Sequence, residues 1–263
     1  MWRGWLGVAR SISAPGDEAQ RTLVEAKALH ARAGRPNVLI KIPGTREGLP
    51  AIEEAIFAGI PINVTLLFSR EQYLAAAEAY QRGVERRLAA GRSPDVGSVA
   101  SVFVSRWDVA VMGKVPEALR DRLGIAVAQR TYKAYRELLD SSRWQQAFNA
   151  GARRQRLLWA STGTKDPKAS DVLYIKALAA PLTVNTMPEE TLKALAEHGQ
   201  VGPTLPRDGG DCEEMLERFR KAGVNVETLA EQLQDEGAKS FVKSWNELME
   251  CIDVKSSAIK KAS

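Results

Sequence analysis

Cysteine and histidine are scarce in this 263-residue chain, with two of each. Cys212 and Cys251 lie far apart without metal-ligand spacing, which argues against a disulfide framework or a zinc site and fits a reducing compartment. His30 and His198 stand near the ends of helical patterns, where solvent or the helix dipole accounts for them without catalysis. No run approaches the roughly 18 continuous apolar residues that a membrane-spanning helix needs. No strand is followed by the G-x-G-x-x-G that a dinucleotide-binding sheet uses to hold phosphates. No Pro/Ser-rich linker or low-complexity segment divides the chain, which reads as one domain over 1–263, with an atypical N-terminus at 1–15 and a flexible tail at 253–263.

What is present is an ordinary globular composition, 44% hydrophobic and 26% charged, enough for a sizeable core. The net charge of +5 and a pI near 9.2 raise the question of nucleic acid. The basic residues are spread through helical patterns such as "YQRGVERRLAAGR", however, and a solvated helix face is the better reading. Modest positive charge equally suits small anionic substrates. The N-terminal "MWRGWLGVARSISAPG" carries Arg3 and Arg10 and no acid before Asp17. It loosely resembles an organelle leader but lacks a clear amphipathic run, so the cytoplasm is expected, with a plastid as the alternative.

Short apolar, β-rich runs alternate with longer helical patterns: "NVLIKI", "INVTLLF", "GSVASVFVS", "RLLWAST" and "PLTVNT" read as strands. Helices are expected between them, Ser69 being the N-cap of one, with a last helix over 226–252. That alternation predicts an α/β protein with parallel strands. Alternating sides then separate Val38, Ile40 and Ile42 from Leu39 and Lys41; Ile62, Val64 and Leu66 from Asn63 and Thr65; Ala100 and Val102 from Ser101 and Phe103; and Leu158 and Ala160 from Trp159 and Ser161. Strands that offer one apolar side to helices and small polar groups to a shared interior favour a (β/α)8 TIM-barrel type over a doubly wound sheet.

Lys41 is the odd residue in this pattern. A buried ammonium loses hydration, so the amine gives up its proton more readily. A neutral amine adds to a ketone, giving a carbinolamine and then an iminium that acts as an electron sink for cleavage of the adjacent carbon–carbon bond. Asn63, Thr65, Ser101 and Ser161 would suit such a site, since they orient hydroxyls or water without adding a strong charge. The alternative, a lysine that snorkels to the strand end and pairs with an acid, stands equally on spacing alone.

The segments "NVLIKIPGTREGLPAIEEAIFAGIPINVTLLFS", "SVFVSRWD", "LWASTGTKDP" and "TVNTMPEETL" together resemble the transaldolase family, in the branch found in many bacteria and in plants. The resemblance runs from about residue 18 to 252. It implies a (β/α) barrel and metal-free, cofactor-free Schiff-base chemistry, in which a dihydroxyacetone unit passes from sedoheptulose 7-phosphate to glyceraldehyde 3-phosphate in the pentose phosphate pathway. Lys41 matches the family's Schiff-base lysine, and Asn63 and Thr65 match a substrate-binding asparagine and a threonine that helps hold the catalytic water. Ser101 and Arg106 match a serine and a phosphate-binding arginine, and Lys165 stands near a second phosphate-binding cation. The partners implied are sugar phosphates, with neither nucleic acid nor membrane.

The resemblance also implies that "NVLIKI" is the fourth of eight strands, so about six of eight β/α units are expected here. The first two strands, with an aspartate that serves as proton donor and acceptor, have no counterpart in this sequence. Ser11 stands nearest the position of a glutamate that orients the catalytic water, with Asp17 and Glu18 shortly after it. Turnover by this chain is accordingly expected to be impaired, and a non-catalytic sugar-phosphate-binding descendant is the alternative function.

Overall fold

The structure is a computed structural model that describes residues 7–9 and 18–262. Among the described residues one sheet contains β1 (Gly7–Ala9), β2 (Leu39–Pro43), β3 (Ile62–Leu67), β4 (Ser98–Phe103), β5 (Gln155–Ala160) and β6 (Thr183–Asn185), hydrogen-bonded in that order. Every neighbouring pair is parallel. Parallel neighbours in chain order require each connection to return along the sheet, and helices make that return. The connections contain α1 (Glu18–Ala33), α2 (Leu49–Ala58) and α3 (Arg70–Ala89), then α4 (Ser105–Val111), α5 (Leu123–Asp140) and α6 (Ser142–Asn149), then α7 (Leu173–Ala177). After β6 come α8 (Glu189–His198), α9 (Cys212–Lys221) and α10 (Val226–Ala262). This sequential parallel order is that of a (β/α) barrel, with six of its strands among the described residues. Ser11 and Asp17 lie outside the described residues, as does most of the N-terminal segment 1–15.

The sheet is buried on both faces. Ile40, Ile42, Ile62, Val64, Ala100, Val102, Leu157 and Trp159 pack with residues of the surrounding helices such as Ile52, Ile56, Tyr73 and Tyr135. On the other face Leu39, Leu66, Val99, Phe103, Leu158 and Ala160 pack with Trp107, Phe219, Ala230 and Leu233, drawn from α4, α9 and α10. Each fully buried large side chain contributes about 1.5–3 kcal/mol.

Strict alternation fails in β3, and in β5 it holds with the opposite face inward. Leu66 does not join Ile62 and Val64 on the helix side: its φ is +60° and the β3–β4 register shifts between Val64 and Leu67. The extra residue sends Leu67 outward and leaves Leu66 on the inner face. In β5 the assignment is reversed: Leu158 and Ala160 lie inside, while Trp159 faces the helices and donates its Nε1–H to the Leu178 carbonyl at 2.9 Å. Periodicity says which residues share a face but not which face is inner, and a strand apolar on both sides carries no cue.

Ser69 caps α3 as expected, in a reciprocal box: its Oγ accepts the Gln72 N–H at 3.1 Å, and Gln72 Oε1 accepts the Ser69 N–H at 3.3 Å. The last helix departs from expectation. Asn225 Oδ1 accepts the Thr228 N–H at 2.9 Å at its start, and α10 runs to Ala262 rather than ending at 252. "VKSSAIKKA" contains neither glycine nor proline, so nothing in it stops a helix already propagating. Its 37 residues give a rod of about 55 Å.

Close packing of α2 on α3 depends on Gly83, where a Cβ would lie 2.7 Å from Ile56 Cβ and 2.8 Å from the Glu53 carbonyl oxygen. Gly83→Ala gains about 1 kcal/mol of helix propensity against about 1–3 kcal/mol of overpacking. Because one of the obstructing atoms is backbone, overpacking is expected to win, and urea denaturation should show a net loss of up to about 2 kcal/mol.

Candidate active site

Lys41 sits in the middle of β2, directly across from Asn63 on β3. Ser101, on β4, donates its Oγ–H to Asn63 Oδ1 at 2.7 Å, with both side chains buried. That bond fixes the amide: Oδ1 is occupied, and Nδ2 remains as the donor end. Thr65, two residues along β3, is fully buried, and its Oγ1 has no partner among the described residues. A buried hydroxyl in this state is exceptional and calls for a partner such as water or substrate.

Arg106 enters from the first turn of α4, which starts where β4 ends. Its guanidinium carbon lies 5.0 Å from the centre of the Phe103 ring. Burial holds its pKa below the ordinary value, opposed by the charge of Glu236 on α10. Burial also pushes the Lys41 amine below its ordinary value, and the positive charge of Arg106 adds to the effect. Lys41 forms no ion pair among the described residues; its Nζ lies 5.7 Å from the centre of the Phe241 ring. An acid-paired snorkelling lysine would have its pKa raised, so the lowered value distinguishes the two readings of this residue.

Ser161 is placed differently from the simple picture of a converging interior. It has φ +56° just past β5, its Oγ lies 2.9 Å from Ser105 Oγ, and its carbonyl accepts the Ser105 N–H at 2.9 Å. It therefore ties the end of β5 to the residue beside Arg106. Lys165 is exposed in the loop after β5 and makes no hydrogen bond or ion pair among the described residues. The geometry thus groups Lys41, Asn63, Ser101 and Arg106, with Thr65 alongside on β3, and leaves Lys165 on the rim.

Two features escaped sequence reasoning. α10 crosses the strand ends, and Gln234 Nε2–H donates to the Leu66 carbonyl at 2.9 Å and the Gly44 carbonyl at 3.3 Å. Asp108, two residues after Arg106, is buried and accepts the Leu123 N–H at 2.9 Å and the Tyr174 hydroxyl at 2.8 Å. An acid just after "SVFVSR" was the available signal for Asp108; for α10, some 170 residues downstream of Leu66, nothing local pointed there.

A cavity of about 420 Å³ lies elsewhere, against Arg130, Glu213, Glu217 and Arg220. Its charges satisfy one another, Arg130 with Glu213 at 2.9 Å and Arg220 with Glu217 at 2.6 Å, so it lacks free groups for a ligand.

Fold and site together define a (β/α)-barrel type of protein built around a strand-borne, partly dehydrated lysine. Residues 11–252 match the Transaldolase/Fructose-6-phosphate aldolase family, and the chain belongs to that family. It is 46% identical over 244 residues to a transaldolase of Parafrankia sp., covering 89% of this chain and 66% of that protein. It is 46% identical over 242 residues to a transaldolase of Thermobifida fusca, with the same coverages. A protein named transaldolase 2 from Nostoc punctiforme is 39% identical over 258 residues, covering 90% of this chain and 68% of that protein. The chain spans about two thirds of the length of these relatives, 66% for the first two.

Burial pushes the Asp108 carboxyl up to about 6, against the opposing pull of its hydrogen bonds from Tyr174, Gly124 and Leu123. A carboxyl raised in the folded state holds its proton where the unfolded chain has lost it. Its contribution to stability is therefore full below pH 4 and is lost as pH rises to about 6, amounting to about 3 kcal/mol. Asp108→Asn keeps an acceptor for Leu123 and cannot ionise. Denaturant titrations from pH 4 to 7 should show this variant gaining on the wild type by up to about 3 kcal/mol.

Proposed function

We propose that this chain carries out transaldolase chemistry through Lys41, and the observation that carries the reading is the partly buried amine, without an ion pair among the described residues, set beside an oriented amide. Lys41 Nζ adds to the ketose carbonyl carbon, the carbinolamine loses water, and the resulting iminium accepts the electrons of the adjacent carbon–carbon bond as it breaks. The neighbouring hydroxyl gives up its proton as the aldehyde fragment leaves. The retained three-carbon enamine then attacks an acceptor aldehyde, and hydrolysis of the new iminium frees Lys41. Asn63 Nδ2 and Ser101 Oγ suit binding of sugar hydroxyls, and Thr65 Oγ1 suits a bound water that relays protons.

Arg106 is the expected phosphate ligand, since a phosphate dianion is best held by charge-assisted donors. Lys165 is assigned the weaker role of a rim cation, and Ser161 that of holding α4, and with it Arg106, in place. The relatives are named transaldolases, and the sequence resemblance implies sedoheptulose 7-phosphate as donor and glyceraldehyde 3-phosphate as acceptor, as in the pentose phosphate pathway, with the cytoplasm as the expected compartment. No helix among the described residues is long and apolar enough to cross a membrane. Arginines of the basic α3 pattern pair with the α2 acids, Arg82 with Glu53 at 2.6 Å and Arg86 with Glu54 at 2.5 Å, which supports a sugar phosphate rather than nucleic acid as the anionic partner.

Borohydride reduction in the presence of fructose 6-phosphate should leave a stable adduct on Lys41, located by peptide mass spectrometry, and none in Lys41→Arg. Absence of an adduct in the wild type would leave only a sugar-phosphate-binding descendant. Arg106→Ala is expected to raise KM for phosphorylated donors about ten- to a hundredfold, the worth of one charged hydrogen-bonded contact, with a smaller change in kcat.

A further inference from the structure

Four residues of α10, spaced so as to share one face of the helix, meet the ends of the strands. Ala230 accepts a hydrogen bond at its carbonyl from Gln72 Nε2 at 3.4 Å, across to the capping box of α3. Gln234 grips the carbonyls of Gly44 and Leu66. Leu66 is the residue held in the left-handed region, so the irregularity of β3 presents its carbonyl to α10. Gly237 follows one turn later and is buried: a Cβ there would lie 2.8 Å from Leu66 Cδ2 and 3.3 Å from Arg106 Nη1. Phe241, one further turn along, brings its ring centre to 5.7 Å from Lys41 Nζ.

We propose that α10 is a fixed roof over the amine site, in which Phe241 is a positioning residue that keeps water off Lys41 Nζ and Gly237 is a notch that admits the Arg106 guanidinium. The roof deepens the imine-forming reading of Lys41 and rests on it. A ring face also attracts an ammonium, but 5.7 Å is near the roughly 6 Å limit of that attraction. Exclusion of water is therefore the larger of the two opposed effects. The charged groups facing the amine are Arg106, from α4, and Glu236 of α10, which acts through Arg106. Phe241 carries no charge, so replacing it removes shielding and leaves these charges in place.

Reductive methylation with ¹³C-formaldehyde and an NMR titration read the ionisation of each lysine without reference to turnover, and the missing signal in Lys41→Arg identifies Lys41. Phe241→Ala should raise the Lys41 midpoint by about one pH unit towards the ordinary value, cutting the free-amine fraction about tenfold at pH values well below it. The acid limb of ketose trapping should move by the same amount. Phe241→Leu, which keeps apolar bulk without a ring, should restore the wild-type midpoint. Should Phe241→Ala not fold, Phe241→Val carries the same expectation at reduced size. An unmoved or lowered midpoint in the truncated variant, or a leucine variant that behaves like it, overturns the roof. A midpoint that moves as expected in a protein that never forms a ketose adduct keeps the roof and overturns the transfer chemistry. An adduct with an unmoved midpoint does the reverse.

Discussion

Everything at the centre of this molecule follows from one costly placement, a primary amine on the inner face of a parallel sheet. Water is withdrawn from Lys41 by burial, and no carboxylate among the described residues compensates for the loss. Its cross-strand partner is an amide and its nearest charge has the same sign. An arrangement selected for stability alone would provide a counter-ion or place leucine there, because an unpaired buried charge costs several kcal/mol. This environment shifts the balance towards the neutral amine, which is the form that adds to carbonyls.

The sheet turns that placement into a site. Parallel strands in chain order, about 4.8 Å apart, set an amine, an amide and a hydroxyl on adjacent strands. The pair across β2 and β3 is locked by backbone register rather than by side-chain contact, and the Ser101–Asn63 bond across β3 and β4 then determines which end of the amide is the donor. The same geometry brings each strand end to the start of a following segment, where Arg106 is delivered by α4 with its rear secured through Ser105 to Ser161. Precision thus comes from the backbone, and small polar side chains refine it.

How much of this was legible in the sequence depended on the range of the forces involved. Periodicity is local, so the β-then-α order, the Ser69 cap and the shared side of Lys41, Asn63 and Ser101 could be read directly. Choosing the inner face required a polar residue to break the symmetry, and β5, apolar on both sides at Leu158 and Trp159, offered none. The shift at Leu66 presents its carbonyl to Gln234, 168 residues away, a partner with no local signature. Ser161 was placed by extending an alternation through a residue that turns left-handed. The role of Asp108 came from Tyr174 and the start of α5, partners that only tertiary packing supplies.

The proximity of two cations remains to be reconciled with a reaction whose intermediate is itself positive. Without substrate, burial and then the charge of Arg106 disfavour protonation of Lys41, which suits the amine to the nucleophilic role proposed for it. In the proposed reaction a phosphate dianion settles on Arg106 and changes the sign of the field at that end of the site. Coulomb interaction at the effective dielectric of partly buried sites is worth a few kcal/mol at contact distances, enough to matter in either direction. Bound phosphate therefore favours the positive iminium at the stage when it must form, whereas the empty site favours the neutral amine that begins the reaction. In the proposed reaction one arginine would serve both stages because the ligand it holds reverses its electrostatic influence, whereas a neutral phosphate-binding residue in its place would do nothing to disfavour protonation of the free amine.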